Sequence, residues 1–269
     1  MKPTKVSIDN VTIVGDLVPK SSFEYILANS VLWNERYRAK YPYEWNWNGV
    51  DGSFLQYTRE SNFSDIRIEF NPNKCEKDEV ITILTQLRNS SLTRLDIAFD
   101  FEVDLREYRI IDTMPRKEQI FKGIDKKIET YYFGSKTSNL FIRMYDKAKE
   151  QRVEQECTWW RIEAVLRHDI LDYVLKGIVN PFEGLKIFKP NYANLNLTDE
   201  AVIRAMLEVE GFTGRMNKMQ KSRYRKKITS MPTSDEIPIQ DLFKTYLKMI
   251  LYDTHKWLDY ANSNTLKLK

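Results

Sequence analysis

Cysteine and histidine are scarce in this chain, with two of each in 269 residues. Cys75 and Cys157 form no C-x-x-C pair and have no Cys/His neighbours at zinc-ligand spacing, which excludes a disulfide framework and a zinc finger. His168 and His255 stand alone and far apart, so no His-x-His pair and no H-E-x-x-H motif exists, and each reads as a structural or surface histidine. A G-x-x-x-x-G-K-[ST] loop is also missing, and NTPase chemistry is left without its usual phosphate cradle. No apolar run approaches the roughly 18 residues of a membrane span. The polar start MKPTKVSIDN has no signal-peptide core. These two absences point to a cytoplasmic protein with no membrane partner. No repeat at solenoid periods and no low-complexity tract is present.

What remains is an ordinary globular composition, 42% hydrophobic and 30% charged, in a chain long enough to bury a full core. The net charge of +4 is modest, but it is unevenly spread. The run RMNKMQKSRYRKK carries seven cations and no acid: Arg215, Lys218, Lys221, Arg223, Arg225, Lys226 and Lys227. Such a run is either a solvated helix face or the footprint of a phosphate-binding surface.

The first two thirds of the chain alternate strand-like and helix-like signals. KVSIDNVTIV, DIRIEF, LTRLDIAFDF, KIETYYFG, NLFIRMYDK and TWWRIEAVL read as strands, and EVITILTQL and HDILDYVLKG as short helices. This pattern predicts an α+β fold with a central, mostly antiparallel sheet flanked by helices. After Pro190 helical signals take over. LTDEAVIRAMLEVEG opens on Thr198, an N-cap candidate followed by two acids, and Gly211 closes it. PIQDLFKTYLKMILYDTHKWLDYA is apolar at helical spacing. The expected organisation is an α+β domain over residues 1–190 and a C-terminal helical region over 191–269.

Within LFIRMYDK, period-two alternation places Arg143, Tyr145 and Lys147 on one face of a strand. Cations beside a phenol favour phenolate and would neutralise a phosphate brought near it, an arrangement suited to a tyrosine attacking a phosphodiester. A half-buried strand tyrosine with solvated neighbours is the plainer alternative. A basic–aliphatic–acidic triplet recurs as Arg67-Ile68-Glu69, Arg94-Leu95-Asp96 and Arg161-Ile162-Glu163. If the strands are neighbours, their acids, with Asp100 added by alternation from Asp96, could gather on one face and bind a hard divalent cation. A sheet face crossed by salt bridges is the alternative.

Three segments in order, LTRLDIAFDF, TYYFGSKTSNLFIRMYDKAKEQ and TWWRIEAVLR, strongly resemble the trans-acting Rep initiator family of Gram-positive rolling-circle plasmids, a family that also includes relaxase-like nicking proteins of integrative conjugative elements. The resemblance covers roughly Asp65 to Ile170. It implies a metal-dependent nickase in which Tyr145 cuts one strand at the plasmid's double-strand origin, at a hairpin or cruciform. The 5′-phosphate stays on the tyrosine and a 3′-hydroxyl is left to prime synthesis, with Arg143 and Lys147 assisting. It further implies Mg²⁺ or Mn²⁺ on carboxylates, matched here by Asp96 and Glu163 and, more weakly, by Asp100 and Glu69, because the family lacks paired histidines. Homodimers, a host replicative helicase as partner and an origin-recognition role for the basic tail are also implied. A mobile-element relaxase and a non-cutting DNA-binding protein of the same fold are the competing readings. Aromatics at Tyr41–Trp47 or the C-terminal helices would supply the dimer interface.

Overall fold

The structure, a computed structural model, describes residues 1–18, 32–33, 43–47, 54–58, 62–153 and 158–266. Cys157, Tyr41 and Pro42 lie outside the described residues, as do the side chains of residues 43–47, so the aromatic interface segment is not among them. The chain forms two compact units. One comprises Met1–Val6, Ala98–Ala164 and Gly177–Tyr246, and the other Ser7–Ile97, Val165–Lys176 and Leu247–Lys269.

In the second of these units the strands run in the order β2 (Leu32–Trp33), β3 (Tyr43–Trp47), β4 (Phe54–Tyr57), β5 (Ile66–Phe70), β1 (Lys5–Leu17) and β6 (Leu87–Phe101). Pairing is antiparallel where register is defined, as for Ile13 opposite Ile68 and Leu55 opposite Ile68. Helix α1 spans Lys77–Leu84 and buries Val80, Ile83 and Leu84, and helix α3 (His168–Leu175) buries Leu171 and Val174. Leu87, expected at the end of that helix, instead opens β6. Trp257, on the long helix α6 (Ile239–Leu266), meets Phe70 edge to face with ring centroids 5.0 Å apart.

The other unit takes the C-terminal end of β6 and continues through β11 (Trp160–Arg167), β10 (Leu140–Asp146), β9 (Ile128–Phe133) and β8 (Glu118–Lys122). These strands form because aliphatic and aromatic residues alternate with polar ones, and register follows from burying the apolar set. Tyr145 stands opposite Thr130 and Arg143 opposite Tyr132, while Met144 stands opposite Tyr131 on the other face. Phe99, Phe182 and Phe243 pack edge to face behind them. A separate three-stranded sheet has β12 (Leu185–Pro190) between β7 (Arg109–Asp112) and β13 (Thr233–Ile237). Helix α4 (Leu197–Glu208), a 3₁₀ turn at Phe212–Arg215 and helix α5 (Lys218–Ser230) pack on it through Phe188, Ile203, Leu207, Tyr224 and Ile228.

Residue 190 is therefore no domain boundary. Strand β13, after it, pairs with β12, before it, in the register Ile187 to Ile237, so the last third cannot detach from the α+β body and is not wholly helical. The N-cap of α4 is Asn196, not Thr198: the Asn196 side chain accepts from the Asp199 backbone N–H. Otherwise the architecture is the expected α+β fold with a large antiparallel sheet and a C-terminal helix. No helix among the described residues is long and apolar enough to cross a membrane.

Candidate active site and basic helix face

Tyr145 sits near the end of β10 with 6% of its surface exposed. Its hydroxyl donates to Oε2 of Glu163 at 3.1 Å, and the Arg143 guanidinium donates to Oε1 of the same carboxylate at 2.8 Å. Glu163, on β11, is fully buried and ties the phenol to the arginine. The Arg143 guanidinium also lies over the tyrosine ring, 4.8 Å from its centroid. Lys147 is not part of the strand. Asp146 accepts from the Lys149 backbone N–H and starts the short helix α2 (Lys147–Glu150). The Lys147 ammonium nevertheless stays 5.6 Å from the Tyr145 ring centroid and pairs with Glu150. The three residues expected together are brought together, the lysine by a helix start rather than by strand alternation.

The electrostatics reverse one expectation. Burial, and then the charge of Glu163, push the Tyr145 phenol well above its ordinary pKa, and Arg143 and Arg161 only partly oppose them. At rest the group is a neutral phenol hydrogen-bonded to a base, not a phenolate held by cations.

The expected metal carboxylates are all engaged by arginine. Arg161 holds Asp100 through two bonds of 2.6 and 2.8 Å, with both side chains buried. In the second unit Arg94 holds Asp96 at 2.6 and 2.8 Å. Glu69, also there, accepts from Asn10, Thr12, Arg67 and Arg94, which uses its acceptor capacity and leaves it unsuited to a metal. The triplets thus pair within their strands in β5 and β6, whereas in β11 the partners come from other strands. Among the described residues no three of His, Cys, Asp or Glu are grouped so as to hold a metal. Asp100 and Glu163 are buried carboxylates, the donor type a hard divalent ion takes, and in each the oxygens already accept hydrogen bonds, from Arg161 in the first and from Arg143 and Tyr145 in the second.

The basic run forms α5, closed at its start by a capping box between Asn217 and Gln220. Tyr224 and Ile228 anchor one side in the core. The other side, with Lys218, Lys221, Ser222, Arg225, Lys226 and Thr229, lines a shallow concavity of about 610 Å³. Four of the seven cations therefore share one face. Of the others, Lys227 pairs with Asp199, Arg223 lies 5.5 Å from the Tyr224 ring, and Arg215 belongs to the 3₁₀ turn. The hydroxyl residues of this face drew no notice in the sequence, although their spacing of three and four from the lysines would have found them.

No protein-family model matches the chain. Among characterised proteins, a replication initiation protein of Staphylococcus aureus is 31% identical over 278 aligned positions, covering 95% of this chain and 84% of the relative. The chain belongs to the family of replication initiation proteins. A second such protein from the same species is 31% identical over 266 positions, covering 91% of this chain and 80% of its own length. Among solved structures, the rolling circle replication initiator protein from Geobacillus stearothermophilus aligns over 92% of this chain and 96% of its own, at 15% identity and a TM-score of 0.47. In this replication initiator, the buried tyrosine and the basic helix face both lie in the unit built around β9, β10 and β11.

Proposed function

We propose that this initiator starts rolling-circle replication of a plasmid by nicking one strand of the double-strand origin, with Tyr145 as nucleophile. The observation that carries the reading is the hydrogen bond of 3.1 Å from the Tyr145 hydroxyl to a fully buried carboxylate that Arg143 also holds. In this reading Glu163 takes the phenol proton as the oxygen attacks phosphorus. The new O–P bond leaves a 5′-phosphotyrosine, and the P–O3′ bond breaks with its electron pair on the 3′-oxygen, which takes a proton from water and becomes the hydroxyl primer. Arg143 and Lys147 balance the charge spreading over the phosphoryl oxygens. No nucleotide is consumed, because the phosphotyrosine link conserves the bond for rejoining.

Asp100 and Glu163 are the proposed ligands for Mg²⁺ or Mn²⁺, and Asp96 is proposed on its motif alone. When bound, the ion would polarise a non-bridging phosphate oxygen. The α5 face is proposed to grip origin DNA through phosphate contacts. One nucleophile per chain must cut twice in each round, so we assign a homodimer, each chain contributing one Tyr145, with a host replicative helicase recruited to open the duplex. The test is incubation of supercoiled origin plasmid with the protein and Mn²⁺. Open circles and a covalent protein–DNA adduct on a denaturing gel are expected, and intact supercoils with no adduct would sink the reading.

A further inference from the structure

Strand β8 ends the large sheet among the described residues, and it carries an exposed aromatic on the face that holds Tyr145. Directly opposite residues on neighbouring antiparallel strands point to one face of a sheet. Tyr145 on β10 stands opposite Thr130 on β9, and Thr130 stands opposite Phe121 on β8, so Phe121 shares a row and a face with the proposed nucleophile. At a strand spacing of about 4.8 Å, two steps place its Cα roughly 10 Å from that of Tyr145. In a second row on the same face, Arg143 stands opposite Tyr132 and Tyr132 opposite Gln119.

The Phe121 ring is held by other rings and yet open to solvent. It meets Tyr132 edge to face with centroids 5.0 Å apart, and Tyr132 meets the buried Phe141 at 5.2 Å. Phe121 still shows 47% of its surface. The exposed Lys136 ammonium lies 5.8 Å from the Tyr132 ring centroid. Lys122, next to Phe121, and Lys126 and Lys127 in the turn that follows are exposed as well. The one acid of that turn, Asp125, has its carboxylate engaged by the Lys127 backbone N–H at 3.0 Å. A single exposed apolar side chain is ordinary on a protein surface. This one differs in its row with Tyr145, its fixed ring partners and its surplus of accessible cations. A ring beside a cationic track is the pattern of a single-strand binding surface, in which bases stack on aromatics and cations follow the backbone.

We infer that Phe121, backed by Tyr132, stacks an unpaired base of the DNA strand beside the phosphate that Tyr145 attacks, with the neighbouring lysines on the strand's backbone. Stacking on a fixed ring holds the strand in register with the nucleophile. It also favours unpaired DNA, because a base inside a duplex already stacks on its neighbours and must leave them to meet the ring. The inference rests on the proposed nicking role for the identity of the strand, while the binding itself needs no cutting.

Fluorescence anisotropy of the full chain with a short oligothymidylate, and with an abasic strand of the same length, tests it. Wild type should prefer the oligothymidylate about tenfold, the effect of one stacked base, and this comparison needs no variant. Phe121→Leu keeps an apolar contact with Tyr132 but has no flat ring, so it should bind the oligothymidylate about tenfold more weakly than wild type. Phe121→Trp restores a ring and should bind at least as tightly as wild type. Neither change should alter binding of the abasic strand, which offers phosphates and no base. Tyr145→Phe should bind both strands as wild type does, so a failure of the nicking reading leaves this result standing. Equal affinity of wild type for the two strands, undiminished binding of the oligothymidylate by Phe121→Leu, or an equal loss on both strands overturns the inference. Unchanged strand binding with a sedimentation coefficient that shifts in Phe121→Leu also overturns it, and gives the ring to a second copy of the chain.

Discussion

Glu163→Gln separates the roles assigned to the buried carboxylate. In the native site Oε1 accepts from Arg143 at 2.8 Å and Oε2 from Tyr145 at 3.1 Å, with no exposure to water. Glutamine keeps one acceptor and turns the other position into a donor. With the carbonyl retained by Arg143, the amide nitrogen faces the phenol oxygen, and the phenol proton has no acceptor. Losing one hydrogen bond between a charged and a neutral group costs about 1.5–3 kcal/mol of stability. Tyr145 shows only 6% of its surface, so water does not take up the bond its hydroxyl loses, which favours the high end. The kinetic effect is larger. Loss of a positioned general base slows proton transfer by about 10²–10⁴-fold, or roughly 3–5 kcal/mol on the barrier. The sign of the pH dependence follows from the phenol, which Glu163 helps to hold in its neutral form. Removing that charge eases ionisation, so the deficit should shrink as pH rises. Single-turnover formation of the covalent adduct on an origin oligonucleotide, followed across pH and across Mn²⁺ concentration, reads all of this. Recovery with pH identifies the base, and recovery with Mn²⁺ identifies a ligand. A variant that cleaves within about threefold of wild type at every pH would remove Glu163 from the chemistry altogether.

Tyr145→Phe should abolish the adduct while leaving origin binding intact, at a stability cost of about 1–2 kcal/mol for the bond to Glu163. If cutting persists, Tyr132, which shares a face with Arg143, is the remaining candidate, since Tyr131 faces away. Neutralising Lys221, Arg225 and Lys226 together should lower the log–log salt slope of DNA binding by about 0.9 per lost phosphate contact, and neutralising Arg223 and Lys227 should lower it less; equal slopes for both sets would return α5 to a solvated face. Glu118, pushed up to about 7 by burial and by Asp112 and Glu210 against the pull of Arg225, keeps in the folded state a proton that the unfolded chain releases, so its stabilising effect is full at low pH and is lost as pH rises towards that value. Glu118→Gln should therefore be more stable than wild type by up to about 3 kcal/mol at pH 8 and similar near pH 4, and parallel urea-unfolding curves at both pH values would refute the assignment. Mixed dimers of wild-type and Tyr145→Phe chains should start replication but not release closed circles; normal termination by such dimers, or by a protein that sediments as a monomer, would exclude the shared-nucleophile dimer.

How far the sequence could be read depended on the range of the interaction. Strands β9, β10 and β11 were legible because alternation is a property of neighbouring residues, and for the same reason Arg143 and Tyr145 could be placed on one face from LFIRMYD alone. Pairing across strands was not legible, since it depends on register set by the whole sheet. Arg161 and Glu163, spaced like Arg94 and Asp96, were expected to behave alike. Instead Arg161 turns to Asp100 on β6 and Glu163 to β10. That exchange of partners gives the site its geometry, because it leaves the Glu163 carboxylate to accept from Arg143 and Tyr145 together. The protonation state of Tyr145 was lost with it: cations nearby in sequence suggested phenolate, but desolvation and one carboxylate from another strand outweigh them. The boundary at residue 190 failed for the same reason, since TSDEI is too short and polar to announce β13 until β12 supplies its partner. The basic helix shows the opposite case. Its cations were all visible, and what the fold added was a choice among them, because burying Tyr224 and Ile228 fixes which side of α5 faces out. Where a side chain's role follows from its own element it could be read in advance, and where the role comes from an opposing strand the fold had to supply the second residue.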